Sequence, residues 1–220
     1  VSAAVEIADT QGADALSMRN VAERLGVGTM TLYTHVPGKT ELIDLMFDTV
    51  FGELYEQVDT PKQQGNWRDG LRYIARKNWE LYRRHPWMLQ IHAGRPVLGP
   101  NASLKYEAEL RPLDGLGLSD IEMDAALTLV LTHVDGCART RVMMDQTVRE
   151  TGQTDVEWWL DVAPELDRLT DSSHFPVSSR VGMAAGETYQ AAGNPEFVFT
   201  FGLERILAGI AELIAGKQTK

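Results

Sequence analysis

The stretch 16-LSMRNVAERLGVGTMTLYTHVPGKTEL-42 decides how this chain is read. It holds two short helical patterns joined by a glycine-punctuated turn. Ser17 is a good N-cap, because its hydroxyl can accept from an amide of the first turn. Val21, Ala22 and Leu25 then fall on one face of the helix that follows. Ala22 is small where two helices must cross closely, and Gly26 can take the positive φ that a tight turn requires. Gly28 or Thr29 opens the second helix, and Pro37-Gly38 closes it. Val21, Leu25, Val27 and Leu32 are expected to seal the small core. The second helix, about Thr29 to Val36, then has a free N-terminus and turns threonine, tyrosine and histidine outward. So short a helix buries little, and an exposed polar face of this kind suits a reader of the DNA major groove.

Outward from this stretch the pattern stays helical. Residues 1–11 carry Val1, Ala4, Val5 and Ala8 at helical spacing, stopped by Gly12. Lys39 begins a helix with Leu42, Leu45, Met46 and Val50 on one stripe, expected to run to about Val58. Residues 59–66 read as a polar loop, and Trp67 to Arg84 as a helix with Leu71, Ile74, Ala75, Asn78, Leu81 and Tyr82 inward. Pro86 suits the first position of a short helix over 86–93. Asn101 is expected to cap a helix to about Leu113, and Ser119 the longest one, to about Val148. Its segment Leu127 to Val134 is apolar almost all round, which predicts burial on several sides. A helix bent or broken at Pro164 is expected over 156–170, little regularity over 171–195, and a final helix over about 196–215. The spacing predicts an all-α fold: a helix-turn-helix head over 1–48 and a larger helical body over 49–220.

The 220 residues include one cysteine, Cys137, so no internal disulfide framework exists and a reducing compartment fits. No run approaches the roughly 18 apolar residues of a membrane span. No leader pattern is visible, and a cytoplasmic location is the expectation. The chain opens at Val1 rather than methionine, so further N-terminal residues are expected in the natural protein. The net charge of −10 argues against a body that binds nucleic acid non-specifically. Residues 1–50 are themselves acidic: Arg19, Arg24 and Lys39 stand against Glu6, Asp9, Asp14, Glu23, Glu41, Asp44 and Asp48, a balance of −4. DNA binding by this head therefore needs a local basic face, a preceding basic arm, or both.

Residues 16–42 resemble the signature of the TetR family of bacterial one-component regulators almost position by position. Leu32, Tyr33, His35 and Lys39 carry the most specific part. The body resembles the family's effector and dimerisation region in helix order, with the tetracycline-repressor-like branch nearest. The resemblance implies DNA contacts from Arg19 to a base edge or phosphate. Thr29, Met30 and Tyr33 would face the groove, while Thr31, Thr34 and His35 hold phosphates or support the helix. Lys39, with nearby amides, would grip the backbone. Gly28, Thr29 and Thr34 depart from the residues common in the family and reduce the supply of strong base contacts. Met30 and the threonine methyls could instead touch thymine methyls.

A head this small implies a dimer on a two-fold symmetric site. The helices near 119–148 and 196–215 are the candidate dimer faces, with Gly202 and Gly209 seven apart on the second. All five tryptophans lie in the body. Tyr73, Trp87, Met88, His92, Tyr106 and His133 are the candidate lining of an effector pocket among helices 67–84, 86–93, 101–113 and the long helix. His133 and Cys137 share a helix face, but no third or fourth ligand accompanies them, so packing is favoured over metal. No cofactor motif, serine elbow or catalytic Cys–His pairing is present, and no catalytic residue is assigned. The reading is a ligand-responsive regulator, more a repressor than an activator, whose partners are duplex operator DNA, a small apolar or aromatic effector and a second copy of itself. The alternative left open is a small-molecule-binding all-α protein or enzyme with a silent head.

Overall fold

The computed structural model describes residues 1–91, 95–169 and 174–218, and among these there are helices and no strand. The elements are α1 (Ser2–Gln11), α2 (Met18–Leu25), α3 (Thr29–Tyr33), α4 (Lys39–Phe51), α5 (Trp67–Arg84), α6 (Trp87–Gln90), α7 (Pro100–Leu110), α8 (Asp120–Thr151), α9 (Asp155–Leu169), α10 (Pro176–Tyr189) and α11 (Pro195–Gln218). Contacts divide the chain into two compact units, Val1–Asp135 with Leu203–Lys220, and Gly136–Gly202.

Within the first unit, α1 packs on α2 and α4, and α2 on α3. Ser17 caps α2 as its type predicts, accepting from the Asn20 amide at 3.1 Å. Gly26 ends α2 at φ 69°, ψ 27°. The Val27 amide reaches back to Ala22 O at 3.0 Å and the Gly26 amide to Glu23 O at 3.1 Å, the paired bonds of a Schellman stop. The head core differs from expectation in one respect. Leu25 and Val27 are exposed, and Leu16, Met18, Val36, Leu42 and Met46 join Val21, Ala22 and Leu32 inside. The last turn of α2 points past the small core, so its leucine finds no partner there.

α4 stops at Phe51 rather than near Val58. The chain turns at Gly52 so that Leu54 and Tyr55 become buried, and the Tyr55 hydroxyl donates to Glu109 Oε1 at 2.7 Å. α5 has the full capping box of Asn66 and Asp69 and buries the inward residues anticipated, with Tyr82 half-buried. α6 is shorter than 86–93, and Pro86 is its N-cap rather than its first residue.

Asn101 does not cap α7. Gly99 is the N-cap, Pro100 occupies the first turn, and the missing side-chain cap comes from another helix. Asp48 of α4 accepts from the Ala102 amide at 2.8 Å and from Asn101 Nδ2 at 3.2 Å. A Cβ on Gly99 would collide with that carboxylate.

Ser119 and Glu122 do cap α8: Glu122 Oε2 accepts from the Ser119 amide at 2.8 Å, and the Glu122 amide donates to Ser119 Oγ at 3.4 Å. α8 buries Ala126, Leu127, Val130 and Val134 on one stripe but leaves Leu129 52% exposed, so the apolar run is not enclosed within the chain. In α11, Leu203, Leu207, Ile210 and Ile214 are buried, Ile206 is half-buried and Leu213 is exposed.

In the second unit α9 runs through Pro164 without ending. The stretch expected to be irregular contains a 14-residue helix, α10. Its Gly182 and Gly186 suppress the helical signal, yet Gly186 lies so close beneath the Trp159 ring that no Cβ would fit.

Candidate DNA-reading head and effector-binding body

α3 is the outward element of the head. Gly28 is its N-cap in extended conformation, with no side-chain cap, and its carbonyl accepts from the Thr31 and Leu32 amides at 3.0 and 3.3 Å. Leu32 and Val36, four apart, are buried and pin the helix to the head. The remaining side chains are thereby turned out. Met30 is 78% exposed and Tyr33 43%. Thr31, Thr34 and His35 are exposed as well, and Thr29 is half-buried. The Thr34 hydroxyl donates to Thr31 O at 2.6 Å, which ties it to its own backbone and leaves its methyl outward.

Lys39 is exposed at the first position of α4, whose N-cap Gly38 offers no side-chain cap. First-turn amides of a helix have no acceptor within it, so ammonium and amides together form an anion-favouring end. Arg19 is exposed on α2, its Nε 3.1 Å from Glu23 Oε1. Arg24 is paired with Glu6 of α1. The sequence-predicted DNA residues thus fall on α2, on α3 and the turn that follows it, and at the start of α4, and all but Thr29 are solvent-exposed.

The candidate effector residues are placed less uniformly. Tyr73 is half-buried on α5, its ring centroid 6.2 Å from that of Tyr55. Trp87 and Met88 are buried on α6. Trp87 meets Phe47 of α4 edge-on at 5.2 Å, and its indole N–H donates to Asp9 Oδ1 of α1 at 2.8 Å. Tyr106 is exposed on α7, donating to Asp124 Oδ1 at 2.8 Å. That bond, more than desolvation, raises its hydroxyl pKa. His133 is half-buried on α8, and His92 lies outside the described residues. Cys137 is buried, which raises its thiol pKa. Among the described residues no cluster of three or more His, Cys, Asp or Glu could hold a metal. No helix among them is long and apolar enough to cross a membrane.

An open cavity of about 320 Å³ lies on the body, lined by Asp59, Lys62, Glu107, Leu110, Arg111, Asp114 and Met123. None of the candidate effector residues lines it, and it has no aromatic wall.

Sequence comparison then places this architecture. Residues 1–46 match the family model described as "Bacterial regulatory proteins, tetR family", and residues 60–214 that described as "Tetracyclin repressor-like, C-terminal domain". The HTH-type transcriptional repressor DrrR1 of Streptomyces coeruleorubidus is 41% identical over 219 residues, which are 99% of this chain and 78% of that protein. The chain belongs to the TetR family of bacterial transcriptional regulators. Its fold matches apo ActR of Streptomyces coelicolor with a TM-score of 0.74 at 28% identity, covering 99% of this chain and 94% of that one. ActR in complex with actinorhodin gives 0.73 at 29%, covering 98% and 95%. Regulators of this family bind DNA operators and small-molecule effectors and form dimers.

Several polar residues of this TetR-family chain escaped the sequence reading. Glu109 of α7 is only 1% exposed. It accepts from the Tyr55 hydroxyl and Asn78 Nδ2, each at 2.7 Å, and from Lys105 Nζ at 2.5 Å. Burial first, and the Glu109 carboxylate second, raise the Tyr55 pKa well above its ordinary value and keep the phenol a donor. The Lys105–Glu109 spacing of four was the available signal, although on most helices it marks a solvated pair. Asp9, Asp48 and His85 were missed too, because their partners lie 32 to 78 residues away.

Proposed function

We propose that the chain is a dimeric repressor that grips a palindromic operator with its head, residues 1–48, and releases it when a small apolar or aromatic effector enters its body, residues 49–220. The observation that carries this is the outward face of α3, where Met30 and Tyr33 stand exposed while Leu32 and Val36 hold the helix down. Thr29, Met30 and Tyr33 contact base edges and thymine methyls in the major groove. Thr31, Thr34 and His35 hold phosphates or support α3. Arg19 leaves Glu23 to reach a base or phosphate, an inexpensive exchange for so exposed a pair. Lys39 and the amides of the first turn of α4 clamp the backbone.

Dimerisation through α8 and α11 covers what the single chain leaves bare. Ile121 and Leu129 of α8 and Leu213 of α11 are exposed, and Gly209 has open space where a side chain would stand. Apolar helix faces of this kind suit a four-helix interface between two copies.

The effector enters among α5, α6, α7 and α8, with Tyr73, Trp87, Met88, His92, Tyr106 and His133 as candidate contacts. The Glu109, Tyr55, Asn78 and Lys105 cluster beside Tyr73 supplies the few placed polar groups that an otherwise apolar site requires. Release is a population shift: the effector favours a body geometry in which the two heads no longer match successive grooves. The location is the cytoplasm, where the operator is.

The test is footprinting of the protein on the intergenic DNA upstream of its own gene, with salt titration and a random-duplex control. Saturable protection of a palindrome is expected, lost in a Tyr33→Ala, Lys39→Ala variant that remains dimeric. Operator affinity unchanged in that variant would sink the assignment of the reading face.

A further inference from the structure

The DNA-reading head is fastened to the body at a partly buried polar junction in which Asp9, a residue with neither an effector nor an operator role, is the central acceptor. His85, at the corner between α5 and α6, is only 4% exposed. Its Nδ1 lies 2.8 Å from Asp9 Oδ1 of α1, and its Nε2 lies 3.3 Å from Glu53 Oε2, just beyond α4. The indole N–H of Trp87 donates to the same Asp9 oxygen, also at 2.8 Å. A carboxylate only accepts, so Asp9 Oδ1 takes the Trp87 N–H and, in the tautomer that places the proton on Nδ1, the His85 N–H as well. Arg84 NH1 donates to Glu53 Oε2 at 2.8 Å and completes the set.

The packing around this junction is apolar. Phe47 of α4 meets the Trp87 ring edge-on at 5.2 Å, and the His85 and Trp87 rings are 6.2 Å apart. Apolar packing of this sort has little directional preference, whereas two hydrogen bonds to one oxygen fix an orientation. Bonds to a carboxylate are also stronger than those between neutral groups, and the Asp9 side chain here is only 25% exposed.

We infer that Asp9 is a positioning residue for operator recognition: through Trp87 and His85 it locks α1, and with it the head, in one orientation on the body. It touches no DNA itself. Its effect appears only when both heads must reach their half-sites together. A dimer whose heads are fixed at the right separation presents the second head at high effective concentration once the first has bound, and loose heads lose that advantage. The inference rests on the palindrome-binding reading above and adds a residue to it.

The experiment uses full-length protein and two duplexes, a palindrome selected with the wild type and the same duplex with one half-site scrambled. Asp9→Ala and Trp87→Phe are each compared with wild type, then combined. Trp87→Phe keeps a large aromatic ring against Phe47 and removes only the N–H donor, so it guards against misfolding of the alanine variant. With no effector present, so that the proposed effector contact of Trp87 plays no part, each single variant is expected to lose about tenfold or more on the palindrome while keeping wild-type affinity for the half-site duplex. Because Asp9→Ala already removes the acceptor of the Trp87 bond, the double variant is expected to lose little beyond Asp9→Ala alone.

Palindrome affinity unchanged in the dimeric single variants overturns the inference. Equal losses on both duplexes overturn it too, since Asp9 would then merely stabilise the head. Failure of the wild type to select any palindrome is a separate result, and it would remove the operator reading on which the inference stands.

Discussion

Lys39 offers the sharpest quantitative handle on the reading face. It is exposed at the first position of α4, and among the described residues no carboxylate pairs with it. If its ammonium neutralises one phosphate per head, Lys39→Ala removes two such contacts from the dimer. Each contact contributes about −0.9 to the slope of log affinity against log salt, so the slope becomes shallower by about 1.8. Between about 50 and 200 mM salt, the advantage of wild type over Lys39→Ala then shrinks by about 12-fold. Random duplex should show the same change, because a phosphate carries no sequence information. The assay is fluorescence anisotropy of labelled operator and random duplex at four or five salt concentrations, with dimer content checked at each. A lowered affinity with an unchanged slope would refute the reasoning, since it would mean that Lys39 shapes the head rather than touching the backbone.

Other perturbations test the elements behind that face. Glu109→Ala leaves Lys105, Tyr55 and Asn78 without their shared acceptor; removal of one partner from so buried an ion pair costs about 3–5 kcal/mol, read as a lowered urea midpoint at fixed protein concentration. A loss below about 1 kcal/mol would show that the cluster rearranges around the gap. Gly99→Ala forces a methyl into the Asp48 carboxylate that caps α7, and overpacking of this kind costs about 1–3 kcal/mol in chemical denaturation. A Gly99→Ala protein as stable as wild type would place the cap among incidental contacts. The Glu122 carboxyl is held down to about 2, first by Lys217, whose Nζ is 2.7 Å away, and then by Ser119. Its pKa is lowered on folding, so its stabilisation is present above the ordinary carboxylate range and is lost as pH falls toward 2. Glu122→Gln should therefore lower the melting temperature at neutral pH and converge with wild type in acid; parallel curves at all pH values would contradict this.

The head was legible because its signals are local. A serine cap and a glycine at positive φ each act within one turn, and Ser17 and Gly26 occur where such local rules place them. Val21, Ala22 and Leu32 are buried as expected, whereas Leu25 and Val27 turn outward and Val36 takes a core place that the pattern did not mark. Trp67–Arg84 was legible for the same reason, its apolar stripe being strong and its Asn66 cap adjacent. What could not be read depends on distant chain. α7 begins two residues earlier than its sequence suggests, with Gly99 rather than Asn101 as N-cap, and its side-chain cap is Asp48, 54 residues away. α4 ends early because Tyr55 is drawn to Glu109, again 54 residues distant. α10 was hidden because Gly186 reads as a breaker, whereas its lack of a side chain is what admits Trp159. Among the candidate effector residues, Trp87 reads as an aromatic available to a ligand. Its partner Asp9 occurs in a different part of the chain and gives no trace in the local pattern.

The acidic balance of the head also becomes intelligible once partners are known. A charge of −4 over residues 1–50 sits badly with a DNA-binding role as long as each carboxylate is counted as solvated and free. Four of the seven are otherwise engaged. Glu6 is bound to Arg24 and Glu23 to Arg19. Asp9 receives His85 and Trp87, and Asp48 caps α7. Two of these four therefore attach the head to the body. The proposed contact residues Arg19, Thr29, Met30, Thr31, Tyr33, Thr34, His35 and Lys39 include no acid, and the first turn of α4 beside them holds one, Glu41. Potential at a groove depends on the charges within about one Debye length, roughly 8–10 Å at physiological salt, and on what neutralises them, rather than on a sum over the domain. Engaged carboxylates hold the scaffold, and the proposed reading face is left to threonine, methionine, tyrosine and histidine beside one lysine and one arginine. Such a face has few charge contacts with which to bind DNA at random. Its discrimination between operator and random duplex should accordingly depend on shape, methyl contacts and the fixed spacing of two heads, and less on electrostatic attraction.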